Sequence, residues 1–107
     1  MTDKVAFTMK LKPNRVDEYK RRHDEIWPEL VGLLHENGIS DYSIFLDEPS
    51  LTLFAVQKVS PTTISSNDKL HENEIMQRWW VHMADLMETN EDQSPVTHAL
   101  RLVFHMD

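Results

Sequence analysis

Cysteine is absent, and glycine occurs only twice in 107 residues. The first absence removes disulfides, thiolate nucleophiles and cysteine-based metal sites together. It also fits a reducing compartment. The scarcity of glycine leaves no GxGxxG turn, no P-loop and no GxSxG elbow, so neither a dinucleotide nor a nucleoside triphosphate is expected. No apolar run approaches the roughly 18–20 residues that span a bilayer. Behind Met1-Thr2-Asp3-Lys4 there is no apolar core of the kind a secretory signal carries. A soluble, cytoplasmic protein is expected. Positive charge is also short: 11 Lys and Arg stand against 18 Asp and Glu, for a net charge of −7. Nucleic acid and anionic membrane are poor partners for such a chain, because both are usually met by clustered cations. The one basic cluster, Lys20-Arg21-Arg22, is flanked by Asp17, Glu18, Asp24 and Glu25 and reads as a solvated helix face with local ion pairs.

What is present is ordinary globular material, 40% hydrophobic and 27% charged, of a length for one domain over residues 1–107. Lys4 to Leu11 alternates, with Val5, Phe7, Met9 and Leu11 on one side, and reads as a half-buried strand ended by Pro13. Asn14 offers a helix N-cap, with Asp17 and Glu18 in the first turn. Larger residues then recur at Val16, Tyr19, His23, Ile26/Trp27, Leu30 and Leu33/Leu34, which is helical spacing. Pro28 interrupts that helix and predicts a kink or break near His23–Ile26. Asn37-Gly38 closes it. Ser40 to Leu46 and Leu51 to Val59 form a hairpin across an acidic, proline-containing turn. Ser60 to Asn67 is a polar loop, Glu74 to Met87 a second helix, Thr89 to Ser94 a loop, and Val96 to Met106 a last strand. The order β-α-β-β-α-β predicts an α+β, ferredoxin-like fold, with one antiparallel sheet and two helices on one face. The other face needs a cover, and a second subunit laid sheet against sheet would supply it.

Tyr19 and His23, four residues apart on the apolar side of a helix, share a face. A phenol and an imidazole beside a helix break are able to exchange protons near neutrality. The plainer reading is a core histidine satisfied by a neighbouring tyrosine, and spacing alone leaves both open. Trp79-Trp80 diverge by about 100° on a helix, so one ring packs inward while the other lines an opening. Sugars suit such rings, whose faces meet C–H groups while hydroxyls are held at the rim; simple core anchoring is the alternative. Tyr42 alternates with Ile44 and Leu46 and by itself reads as core. His35, His71, His82, His98 and His105 show no paired-ligand spacing, so no metal is assigned.

Taken together, these motifs resemble a known family. Glu18-Tyr19-Lys20-Arg21-Arg22-His23, running into Ile26-Trp27-Pro28-Glu29-Leu30, is similar to the EYxRRHxxIWPEL segment of L-rhamnose mutarotases. Asp41 to Asp47 resembles that family's YxIxLD strand, Gln77-Arg78-Trp79-Trp80 with Met83 its QRWWxxM helix, Asn90 to Val96 its NPDxSPV loop, and Val103-Phe104-His105 its closing VFxL strand. The resemblance spans nearly the whole chain in order. It implies a homodimeric α+β barrel that interconverts the α and β anomers of L-rhamnose without cofactor or metal. It places the proton donor on His23 and substrate binding on Tyr19, Tyr42, Trp79 and Trp80. The chain departs from the pattern in a slightly longer, more polar stretch around Thr62-Thr63-Ile64-Ser65-Ser66 and in Asn90-Glu91 for Asn-Pro. Two other classes compete with this reading: another dimeric α+β barrel enzyme, monooxygenase-like and detectable by a haem Soret shift, and a non-catalytic sugar-binding module, which would leave anomeric exchange unchanged.

Overall fold

A computed structural model describes residues 3–60 and 67–107. It is an α+β chain built on one four-stranded antiparallel sheet. Strand β1 (Asp3–Lys10) lies between β3 (Thr52–Val59) and β4 (His98–Leu100), while β2 (Ile39–Asp47) forms the far edge, giving the order β2-β3-β1-β4. Residues 61–66, most of the polar loop expected over Ser60 to Asn67 and all of the Thr62–Ser66 stretch, lie outside the described residues.

Pleating sorts each strand into two faces. Register places Met9 beside Leu53 and Phe7 beside Ala55, with Ile44 and Leu46 across from Ala55 and Leu53 on β2. This face is buried beneath the helices, and Tyr19, Leu30, Trp79, Met83, Leu86 and Met87 complete its core. Val5, at the outer end of the same row, is exposed, so burial is confined to the later half of β1.

Helix α1 (Val16–Asp24) stops before Glu25, and α2 (Pro28–Glu36) begins with Pro28 at its first turn. The break expected from Pro28 is therefore real. Proline needs no N–H donor at a helix start and clashes in a helix interior, so the chain restarts there instead of bending through. Asn14, however, is not the cap. It has φ 63°, Arg15 occupies the N-cap position, and no side chain caps α1. Asp17 and Glu18 still sit in the positive first turn. The cap chemistry instead serves α4 (Glu74–Met83), where the Asn73 side chain accepts from the Ile75 N–H at 2.8 Å.

Three further differences are physical in origin. A short helix α3 (Asn67–Glu72) precedes α4, and the helix expected to Met87 tightens into a 3₁₀ turn over Ala84–Leu86. The last strand is three residues long, not eleven. Residues 101–107 have no regular structure, with Val103 86% and Phe104 76% exposed. Beyond Leu100 the apolar alternation finds no further apolar surface within its own chain. Finally, Arg22 leaves the solvated face: its side chain, 15% exposed, reaches Asp85 at 2.8 Å and the His82 carbonyl at 2.5 Å. Lys20 and Arg21 do make the expected local pairs, with Asp24, Glu18 and Glu25. Among the described residues no helix is long and apolar enough to cross a membrane.

Candidate functional site

The site grows from one turn of α1. Tyr19 and His23, one helical turn apart, place their ring centroids 4.4 Å from each other. His23 Nδ1 lies 3.2 Å from the Tyr19 carbonyl oxygen. A carbonyl only accepts, so Nδ1 must carry the proton, which leaves Nε2 as the nitrogen free to exchange one. Burial lowers the His23 pKa below its ordinary value; the Tyr19 carbonyl and the charge of Asp24 oppose that shift without cancelling it.

Helix α4 supplies the opposite wall. Trp79, only 6% exposed, meets the edge of His23 at 5.4 Å and Trp27 at 5.1 Å. Trp80, rotated around the helix, is half-buried and meets His71 of α3 edge-on at 4.6 Å. The tandem tryptophans thus divide as their angular separation requires, one in the core and one at an opening. Both line the same hollow.

Strand β2 closes the floor. A register shift between Ser40 and Ser43, with Asp41 at φ 47°, re-aims the strand just where Tyr42 leaves it. The Tyr42 ring then packs edge-on to Phe7 at 6.5 Å. Although Tyr42 keeps 39% of its surface exposed, burial pushes its phenol up to about 12. Tyr19 is raised as well, first by burial and second by the proximity of Tyr42. Both phenols therefore stay protonated at neutral pH and act as hydrogen-bond groups, not as bases.

Two hollows meet here. A narrow one of about 70 Å³ is lined by all five expected site residues, Tyr19, His23, Tyr42, Trp79 and Trp80, together with four methionines, Gln93 and Pro95. A broad groove of about 740 Å³ runs along α1 and α2 and shares Tyr19, His23, Tyr42 and Trp79 with the first. The geometry thus brings together residues that the sequence singles out one by one. Among the described residues there is no cluster of His, Cys, Asp or Glu able to hold a metal ion.

Sequence reasoning missed three contributors. Trp27 and His82 brace Trp79 from behind, His82 lying 5.6 Å from each tryptophan ring. Gln93 enters the lining from the loop after the 3₁₀ turn. Trp27 lies within the helix periodicity already noted; the other two come together only in three dimensions.

Several known proteins are similar to this chain over nearly its whole length. The family model described as L-rhamnose mutarotase matches residues 4–106. The chain is similar to proteins named L-rhamnose mutarotase from Brucella anthropi, at 54% identity over 97% of this chain and 96% of that protein. It is likewise similar to one from Flavobacterium johnsoniae, at 56% over 95% and 94%. A crystal structure of L-rhamnose mutarotase from Formosa agariphila superposes with a TM-score of 0.90 at 50% identity, covering 98% of this chain and 99% of that one.

Proposed function

The chain belongs to the L-rhamnose mutarotase family and interconverts the anomers of L-rhamnose, and from that premise we propose that His23 is the proton donor. The observation that carries this is the hydrogen bond from His23 Nδ1 to the Tyr19 carbonyl, which fixes the ring and presents Nε2 for exchange.

In this reading the reaction is an isomerisation of the aldose 1-epimerase type. The imidazolium form of His23 protonates the ring oxygen while bound water removes the proton of the anomeric hydroxyl. The C1–O5 bond breaks and the C1 carbonyl forms. Rotation about C1–C2 turns the other carbonyl face toward O5; on reclosure O5 returns its proton to His23 and the water returns its proton to O1. The overall proton count is unchanged. Burial makes His23 a stronger acid but a scarcer one at neutral pH, which is the usual trade in general acid catalysis.

Tyr19 and Tyr42, both kept protonated, bind sugar hydroxyls. Trp79 and Trp80 hold the ring face and the C6 methyl, and an apolar methyl contact distinguishes close analogues by about 1–3 kcal/mol. Saturation-transfer NMR tests the reading. Irradiating one anomeric proton of L-rhamnose should transfer saturation to the other in proportion to added protein. His23→Ala should remove that transfer while the far-UV circular dichroism stays native. A folded variant with wild-type exchange would overturn the assignment.

The same proposal extends to architecture. The order β2-β3-β1-β4 supports a ferredoxin-like reading. Phe45, Phe54 and Leu100, exposed on the open sheet face, support a homodimeric α+β barrel closed by a second copy. A cytoplasmic location, expected from the cysteine-free sequence, completes it.

A further inference from the structure

The loop after the 3₁₀ turn carries a residue with no role in the scheme above. Glu88 to Val96 runs back along the end of β1: the Glu88 N–H donates to the Lys10 carbonyl at 2.9 Å, and Thr89 bridges Pro95. At its tip Gln93 has φ 73°, in the left-handed region that a long side chain rarely adopts. The surrounding contacts enforce it. The Gln93 N–H donates to the Asn90 carbonyl at 3.0 Å, and the Asn90 N–H donates to the Ser94 carbonyl at 2.8 Å. Buried Ser94 donates from both its N–H and its hydroxyl to Asp92. Left-handed backbone at such a residue is disfavoured by about 1–2 kcal/mol, and strain of this kind concentrates where function needs it.

Gln93, exposed at the loop tip, shares the lining of the narrow hollow with Tyr19 and Tyr42. Its side-chain amide makes no hydrogen bond among the described residues. The remaining polar groups there are two protonated phenols, two indole N–H donors and one imidazole. Among the described residues Gln93 is the one primary amide in the lining. Its carbonyl and NH₂ lie in one plane, spaced to accept from one hydroxyl and donate to its neighbour. Such a group recognises a vicinal diol, which L-rhamnose presents at C2–C3 and C3–C4.

We propose that Gln93 is a specificity-determining residue that grips a vicinal hydroxyl pair of the bound sugar, held in place by the strained, braced loop 90–95. This rests on the mutarotase reading, and wild-type exchange on L-rhamnose tests that reading separately.

The experiment compares wild type with Gln93→Leu, Gln93→Asn and Gln93→Gly by saturation transfer over a range of L-rhamnose concentrations. Gln93→Leu should raise KM about 3- to 10-fold, the loss of one or two neutral hydrogen bonds, with kcat within about twofold. Gln93→Asn, which retains an amide, should recover part of the loss. Gln93→Gly should raise KM equally while raising Tm by about 2 °C, since glycine accepts this φ without strain. A merely structural role would not separate KM from Tm in this way. The 2-, 3- and 4-deoxy analogues of L-rhamnose locate the grip. At least one should bind wild type more weakly yet lose no more on Gln93→Leu, as in a double-mutant cycle. Unchanged KM in Gln93→Leu, a fall in kcat and Tm together, or full additivity with all three analogues would each overturn the proposal.

Discussion

The two faces of the sheet come from the same strands and meet different fates. Toward the helices, Met9, Leu53 and Ala55 are almost wholly buried, and Met9 also lines the candidate site. On the reverse face Phe45 and Phe54 sit directly opposite each other on β2 and β3, with Leu100 beside Ala6 on β4. Phe45 nonetheless leaves 64% of its surface exposed. Alternation by itself marks a residue as facing away from water; it does not say whether the cover belongs to the same chain. The covered face has its helices within 107 residues. The open face and the apolar tail have no such cover among the described residues, and in the proposed homodimer a second molecule would supply it.

The sharpest way to test this contrast is on the covered side. His23→Ala should lower catalysed exchange by about 10²–10⁴-fold, the usual contribution of a positioned proton-transfer group. Saturation transfer with a circular dichroism control measures it. Leu30→Ala, at a position 1% exposed, should destabilise the fold by about 2–5 kcal/mol in urea denaturation, the range for deleting a well-packed leucine. Phe45→Asp should leave the fold of each chain standing and shift sedimentation from dimer toward monomer. If it unfolded the chain as Leu30→Ala does, the contrast between the faces would fail.

A gentler perturbation is pH. The His23 pKa is lowered in the folded chain, so the unfolded chain binds that proton more tightly. Its contribution to stability is fully present above the ordinary histidine value. It is lost as pH falls through the lower folded one. The acid form, the proton donor in the proposed mechanism, is populated over the same range. Exchange per folded molecule should therefore rise on acidification as stability falls, and His23→Gln should flatten both profiles between pH 7 and 5. Glu18 adds a separate, more acidic step: its hydrogen bonds to Arg21 and Arg22 hold it at about 2, and that stabilisation disappears only as pH falls toward this value. The smallest effect belongs to Gly32 in α2, where an added methyl would touch nothing within 4 Å. Gly32→Ala should stabilise by about 0.5–1 kcal/mol in the same urea series.

Much of this architecture is legible in the sequence because it is local. Tyr19 and His23 share a helix face by spacing, Pro28 must restart a helix, and Trp79 and Trp80 must diverge. Local rules also mislead. Asn14 has the chemistry of a cap, but its left-handed backbone leaves Arg15 in that place. The six residues from Asn67, five of them polar and only Leu70 apolar, make a helix with no apolar stripe to announce it. Val96 to Met106 alternates over its length, yet only His98–Leu100 finds a strand to pair with. Gln93 and His82 reach the site through contacts between elements far apart in sequence, which no spacing rule encodes.

The narrow hollow, finally, has no Asp, Glu, Lys or Arg in its lining among the described residues. Its lining is methionine, indole, phenol held protonated, a primary amide, proline, isoleucine and an imidazole whose charged form burial disfavours, inside a chain of net charge −7. A free sugar enters such a chamber with nothing ionic to make or break, so its affinity is indifferent to added salt. A uronate or a phosphorylated sugar would surrender the hydration of its anion with no cation to replace it, and would approach against the field of the whole protein. In the proposed function the chamber would thus admit sugars before any anionic group is attached and turn them away afterwards.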